Sequence, residues 1–264
     1  MAQRPTKLDI LIISAKSMAT RDEHEYCPPV GRQGELDLHR DKNRQRRGGK
    51  RPNAGRPSTR VRPSECHKCC ELFLASQPLH IVTRVLPRVG SLRRRDLYAA
   101  IRDATITVAK HGTARIVHLS IQRTHVHLIV EAKHKTALAK VMQSLLISAA
   151  RMINRVLGQR GMVFGDRYHA TVLKTPRQVR NCVAYVLNNW RHHGEDRDRR
   201  WTVDPFSSAI SFGGWKELEG RPFGFRPPPT YASLIVWLPK TWLLSTGWRK
   251  HGRIGAREVP GGDE

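Results

Sequence analysis

Residues 115–131 read Arg115-Ile116-Val117-His118-Leu119-Ser120-Ile121-Gln122-Arg123-Thr124-His125-Val126-His127-Leu128-Ile129-Val130-Glu131. Two β-rich runs, 115–121 and 125–131, are parted only by Gln122-Arg123-Thr124, a length that suits a hairpin. Strand side chains alternate between faces, so Val126, Leu128 and Val130 point one way, toward a core. His125, His127, Ile129 and Glu131 point the other way. Two imidazoles two residues apart on one face can converge on a cation. Two surface histidines on a solvated sheet would give the same pattern, so the pair alone is a weak sign of metal.

Elements of matching type lie on either side. Leu79-His80-Ile81-Val82-Thr83-Arg84-Val85 is β-rich and ends before Pro87. Ser91 then offers an N-cap, and Leu97, Ile101, Ala104 and Val108 follow at helical spacing up to Gly112. After the hairpin, Leu138, Val141, Met142, Leu145, Ala149, Met152, Ile153 and Val156 form one apolar stripe closed by Gly158. A short β-like piece spans 170–174. Thr175 as N-cap and Pro176 at the first helical position open a third helix that Gly194 closes. The order β-α-β-β-α-β-α predicts an α+β fold, a ferredoxin-like antiparallel sheet with helices packed on it.

The flanks differ from this core. Residues 1–75 read as a basic arm, and the stretch 40–62 has too few large apolar residues to bury, which predicts disorder. Within it Gly55-Arg56-Pro57, preceded by Lys50-Arg51, resembles the core of an AT-hook, with Ala54 where a flanking arginine usually stands. Arg51 and Arg56 are thus candidates for a minor-groove contact, or equally members of a solvated linker that only adds charge. Residues 194–264, rich in Pro, Gly and Trp, are expected to wrap the central domain, residues 76–193.

The chain carries 47 Lys+Arg against 22 Asp+Glu, a formal +25. A field of that sign attracts polyanions, nucleic acid foremost. Ile10–Ile13 is too short for a secretory core, and Tyr231–Leu238 falls well short of the roughly 20 residues of a membrane span. The expectation is a cytoplasmic, nucleoid-associated protein without membrane contact; Met18 offers an alternative start. Cys66, Cys69 and Cys70 around His67 look like half a zinc site, but no second ligand pair follows at suitable spacing.

The third helix supplies the other half of a candidate site. Val179, Cys182, Val183, Val186, Leu187 and Trp190 share one face, and at 100° per residue Tyr185 lies off that stripe. Asn181, Asn188, Asn189 and His192 fall on its side. Asn189 is at i+4 from Tyr185, one turn away in the same patch. Tyr168, which also precedes a histidine, is a rival nucleophile without such an amide partner.

His125-Val126-His127-Leu128 resembles the HUH motif (His, bulky hydrophobic, His) of single-strand transposases and rolling-circle nucleases. Tyr185-Val186-Leu187-Asn188-Asn189 resembles their one-tyrosine helix, in which an amide metal ligand follows the nucleophile by four residues. The likeness is to the REP-associated tyrosine transposases, relatives of the smallest insertion-sequence transposases, and covers roughly residues 76–193. Trp190 stands where that group often has proline, so the helix is expected to run on to about His193.

The resemblance implies Tyr185 as nucleophile, with His125, His127 and Asn189 holding a divalent cation, typically Mg²⁺ or Mn²⁺. Softness alone would also allow zinc or copper on two imidazoles. It further implies cleavage and rejoining of single-stranded DNA bearing hairpins through a 5′-phosphotyrosine, by a monomer or a homodimer. An inactive relative that only binds DNA or RNA hairpins is the competing reading. Arg123, Arg167, Lys174 and Arg177 are candidates for following the phosphate backbone. Glu131, on the histidine face, is a weak candidate for a general base.

Overall fold

A computed structural model of the chain describes residues 71–109, 112–196, 198, 201–220, 225 and 232–259. The basic arm with Arg51 and Arg56, the cysteine cluster at 66–70 and the proline run at 227–229 lie outside the described residues.

Four strands form one antiparallel sheet: β1 (Leu79–Arg84), β2 (Ala114–Ile121), β3 (His125–Ala132) and β4 (His169–Val172). Their spatial order is β2-β3-β1-β4. Helix α1 (Arg95–Ala109) connects β1 to β2, and α2 (Lys135–Val156) connects β3 to β4. This is the ferredoxin-like β-α-β-β-α-β arrangement expected from the sequence. A third helix, α3 (Pro176–His192), follows β4. Among the described residues no helix is long and apolar enough to cross a membrane.

The alternation in β3 divides the molecule. Val126, Leu128 and Val130 join the core under α1 and α2, with Ile81, Leu97, Ile101, Leu138, Met142 and Leu145. Ile129 enters a second core on the opposite face, built by Val179, Val183, Val186 and Leu187 of α3 with Trp215, Leu244 and Trp248. Burying one such side chain contributes about 1.5–3 kcal/mol. Two packed faces, not one, therefore fix the register of β3. A bulge between Ile116 and His118 resets the phase of β2, so Ile116 and Leu119, three residues apart, both face the first core.

Several boundaries differ from the sequence reading. Helix α1 begins at Arg95, not near Ser91, whose hydroxyl instead accepts from the Arg93 amide at 3.3 Å. Arg93 is committed elsewhere, donating to both oxygens of the buried Asp204 at 2.9 and 3.0 Å, and this holds the preceding turn out of helix. Helix α2 is opened by His134, whose Nδ1 accepts from the Ala137 amide. Val156 at its end is exposed, and Leu157 takes its expected place against the core. Strand β4 ends at Val172, before Lys174, because the Lys174 amide is taken by the Gln178 side chain. That side chain belongs to a capping box with Thr175, which sets the start of α3. The helix runs past Trp190 to His192 as expected, and Gly194 (φ +62°) turns the chain away.

The described residues of 201–220 and 232–259 add short helical turns and no further strand. The segment from Ala232 follows the edge of β2, where the Trp237 amide donates to the Ile116 carbonyl at 2.8 Å. A one-turn helix, α4 (Trp242–Ser245), and a 3-10 turn (Gly247–His251) then pack against α3.

Candidate active site

Strand β1 lies between β3 and β4, and its register decides what surrounds the histidine pair. Arg84 is paired with His125, Val82 with His127 and His80 with Ile129. Side chains at 80, 82 and 84 share the face of His125 and His127. Helix α3 packs on that face and brings Tyr185 and Asn189 to it.

The parts meet closely. Asn189 Nδ2 is 2.8 Å from His127 Nε2. The Tyr185 ring stands edge-on to His127, centroids 5.3 Å apart, and to His80 at 6.0 Å. His125 and His127 are 4.7 Å apart, ring to ring. Behind them His80 Nε2 is 3.1 Å from His127 Nδ1, the two rings stacked at 5.3 Å and 11°. His127 is 3% exposed and Asn189 is fully buried, whereas His125 and Tyr185 are half-buried and open to an incoming ligand.

Burial is the main electrostatic influence. It holds His125 down at about 4 and His127 at about 2, with neighbouring histidines and Arg84 adding to the effect. Both imidazoles are therefore neutral at pH 7, the state in which a ring nitrogen can donate to a metal. Burial raises the Tyr185 phenol above its usual value, and Cys182 adds to the rise. The Arg84 charge and a hydrogen bond from Asn189 pull it back down. The phenol is protonated at neutral pH and needs activation.

Among the described residues no three His, Cys, Asp or Glu side chains converge on one point. A cation held here needs the amide as third donor. Asn189 Oδ1 fits that requirement, being buried and without a hydrogen-bond partner. Such an oxygen is costly to bury unless something binds it. Two neutral imidazole nitrogens and one amide oxygen suit a divalent metal.

Other sequence candidates fall elsewhere. Asn188 does not line the site: it is fully buried and donates to the Gly255 carbonyl. Tyr168 packs against the core under α1 and α2, away from Tyr185. Glu131 is no free base, since its carboxylate accepts from the Lys240 and Thr241 amides and the Thr241 hydroxyl. It is the anchor of the C-terminal segment. Arg123 is exposed but 3.4 Å from Glu195, and Lys174 pairs with Glu71. Arg167 and Arg177 are exposed.

Three residues of the site escaped the sequence reading. His80 and Arg84 arrive through the β1–β3 register, which no local pattern states. His193, with its ring 5.4 Å from that of His125, had a visible signal: it stands at i+4 from Asn189 and i+8 from Tyr185. His192, assigned to that side from the sequence, meets His193 edge-on, ring centroids 5.4 Å apart.

Residues 74–189 match the family model of IS200-like transposases, a span that contains His125, His127, Tyr185 and Asn189. Among solved structures, a REP-associated tyrosine transposase bound to a REP hairpin aligns with a TM-score of 0.45 at 15% identity, covering 66% of this chain and 100% of that one. A protein from Deinococcus radiodurans assigned as a transposase aligns with a TM-score of 0.32 at 13% identity, covering 42% and 87%. No curated protein sequence matches the chain.

Proposed function

We propose that this chain, whose residues 74–189 match the family model of IS200-like transposases, is a transposase that cleaves and rejoins single-stranded DNA at hairpins, with Tyr185 as nucleophile. The observation that carries the reading is the convergence of Tyr185 and Asn189 from α3 on the His125–His127 pair of β3.

The Tyr185 oxygen attacks the scissile phosphorus and loses its proton to solvent. The phosphorus–O3′ bond breaks in line, the 3′ oxygen takes up a proton, and a 5′-phosphotyrosine remains. In the reverse step a 3′-hydroxyl of a second strand attacks the same phosphorus and releases the phenol. One phosphodiester is exchanged for another each time, so rejoining needs no ATP.

His125, His127 and Asn189 would hold a divalent cation, magnesium or manganese by the family resemblance. When bound, such an ion offsets the charge of the phosphate oxygens and orients the group for attack. Arg84, across the ladder from His125, presents a guanidinium to the same phosphate, the group best shaped to grip it at two points. The formal +25 of the chain supports a polyanionic substrate.

The test is incubation with labelled single-stranded hairpin oligonucleotides and Mg²⁺ or Mn²⁺, resolved on denaturing gels beside Tyr185→Phe. A covalent protein–DNA band that disappears in the variant and with chelator is expected. Tight hairpin binding with no adduct across a broad hairpin set would make the protein a binding module instead.

A further inference from the structure

The buried face of the site holds a histidine that the proposed reaction does not use. His80 sits on β1 with its Nε2 3.1 Å from His127 Nδ1, and its ring lies parallel to that of His127. The same ring meets Tyr185 edge-on at 6.0 Å. Thr83 and Ile81 point to the opposite core, so the β1 alternation leaves His80 no other face.

An imidazole has two nitrogens, and what one of them contacts fixes the proton and lone pair of the other. At His127 the Nδ1 side is taken by His80, while Nε2 is turned to Asn189. We propose that His80 is a positioning residue: it accepts the Nδ1–H of His127, locks that ring, and so directs the Nε2 lone pair to the cation. This rests on the cation site proposed above. His80 Nε2 then carries the lone pair of the bond and its Nδ1 the proton, so both rings stay neutral. Its edge contact with Tyr185 makes one side chain the backstop of both the ligand and the nucleophile.

The reading differs from simple packing in what it demands of substitutions. His80→Phe keeps a stacked ring but removes the acceptor. His80→Gln gives up the ring but can place an amide oxygen near the position of Nε2. Loss of such an outer partner of a metal-bound histidine typically costs about 10- to 100-fold in affinity.

The experiment is calorimetric titration of the full-length protein and both variants with Mn²⁺, with melting temperatures measured in chelator. Wild type is expected to bind, His80→Phe to bind about 10- to 100-fold more weakly without a lower melting temperature, and His80→Gln to recover most of the affinity. Equal affinity in His80→Phe and wild type would overturn the role of His80. So would His80→Gln binding as weakly as His80→Phe, since the ring and not the bond would then matter. Absence of Mn²⁺ binding by the wild type and by a His127→Ala control alike would instead overturn the cation site, and the role of His80 with it.

Discussion

Asn189 Nδ2 lies 2.8 Å from His127 Nε2, while Asn189 Oδ1 is buried without a partner. This single contact ties α3 to β3 at the point where the tyrosine helix meets the histidine strand. It also sets up opposite demands: the amide is a burden on the metal-free fold and a donor to a cation.

Asn189→Leu should therefore separate stability from chemistry. Leucine removes the unpartnered Oδ1 but also takes the amide away from the buried His127 Nε2, and a buried acceptor left unsatisfied costs about 1–3 kcal/mol. Melting in chelator should fall by no more than that cost implies. Adduct formation with hairpin DNA should fall at least about tenfold, the scale set by losing one metal contact. A variant that melts as wild type and still forms adduct at the wild-type rate would remove Asn189 from the ligand set.

Arg84→Ala should slow adduct formation by about a hundredfold at saturating DNA, the usual effect of losing one donor aimed at developing charge. Arg84→Lys keeps the charge but not the two-point grip and should fall between. Single-turnover rates report this directly, and equal rates in wild type and Arg84→Ala would exclude the role.

Glu131→Gln tests the anchor. Three donors from Lys240 and Thr241 converge on this carboxylate, with the Arg115 guanidinium 3.8 Å away. An amide leaves a buried donor facing them, at a cost of about 2 kcal/mol. Urea titration should show that loss, and limited proteolysis should cut first near residue 240. The pH profile of cleavage should keep its shape, because Glu131 moves no proton in the reaction.

Acid should destabilise the fold. His118 is buried with Nδ1 3.4 Å from the Ser208 hydroxyl, and burial lowers it from 6.5 to about 4. His80 and His125 are lowered to about 4 in the same way. Each is depressed below its unfolded value, so the unfolded chain binds more protons between pH 4 and 6.5. Stability is then fully present above about 6.5 and lost as pH falls. At about 1.36 kcal/mol per unit, His118 alone contributes roughly 3 kcal/mol. The urea midpoint should drop between pH 6.5 and 4 and drop less in His118→Gln; an equal drop in both would show that His118 does not titrate there.

How much of this was legible follows from which forces are local. The alternation of 125–131, the stripe of α2 and the Thr175-Pro176 start of α3 are written in neighbouring residues, because period and capping act within a few positions. They determined the α+β order of elements and picked out His125, His127, Tyr185 and Asn189. The start of α1 was misread because Arg93 answers to Asp204, 111 positions away. His80 and Arg84 reach the site only through the β1–β3 register, which two packed cores select together. Glu131 read as a weak candidate for a general base until the segment at 240–241 was laid across it. The sequence by itself thus determined the elements and the four residues that α3 and β3 bring together. The tertiary structure decided their neighbours, because those contacts join residues that no local spacing relates.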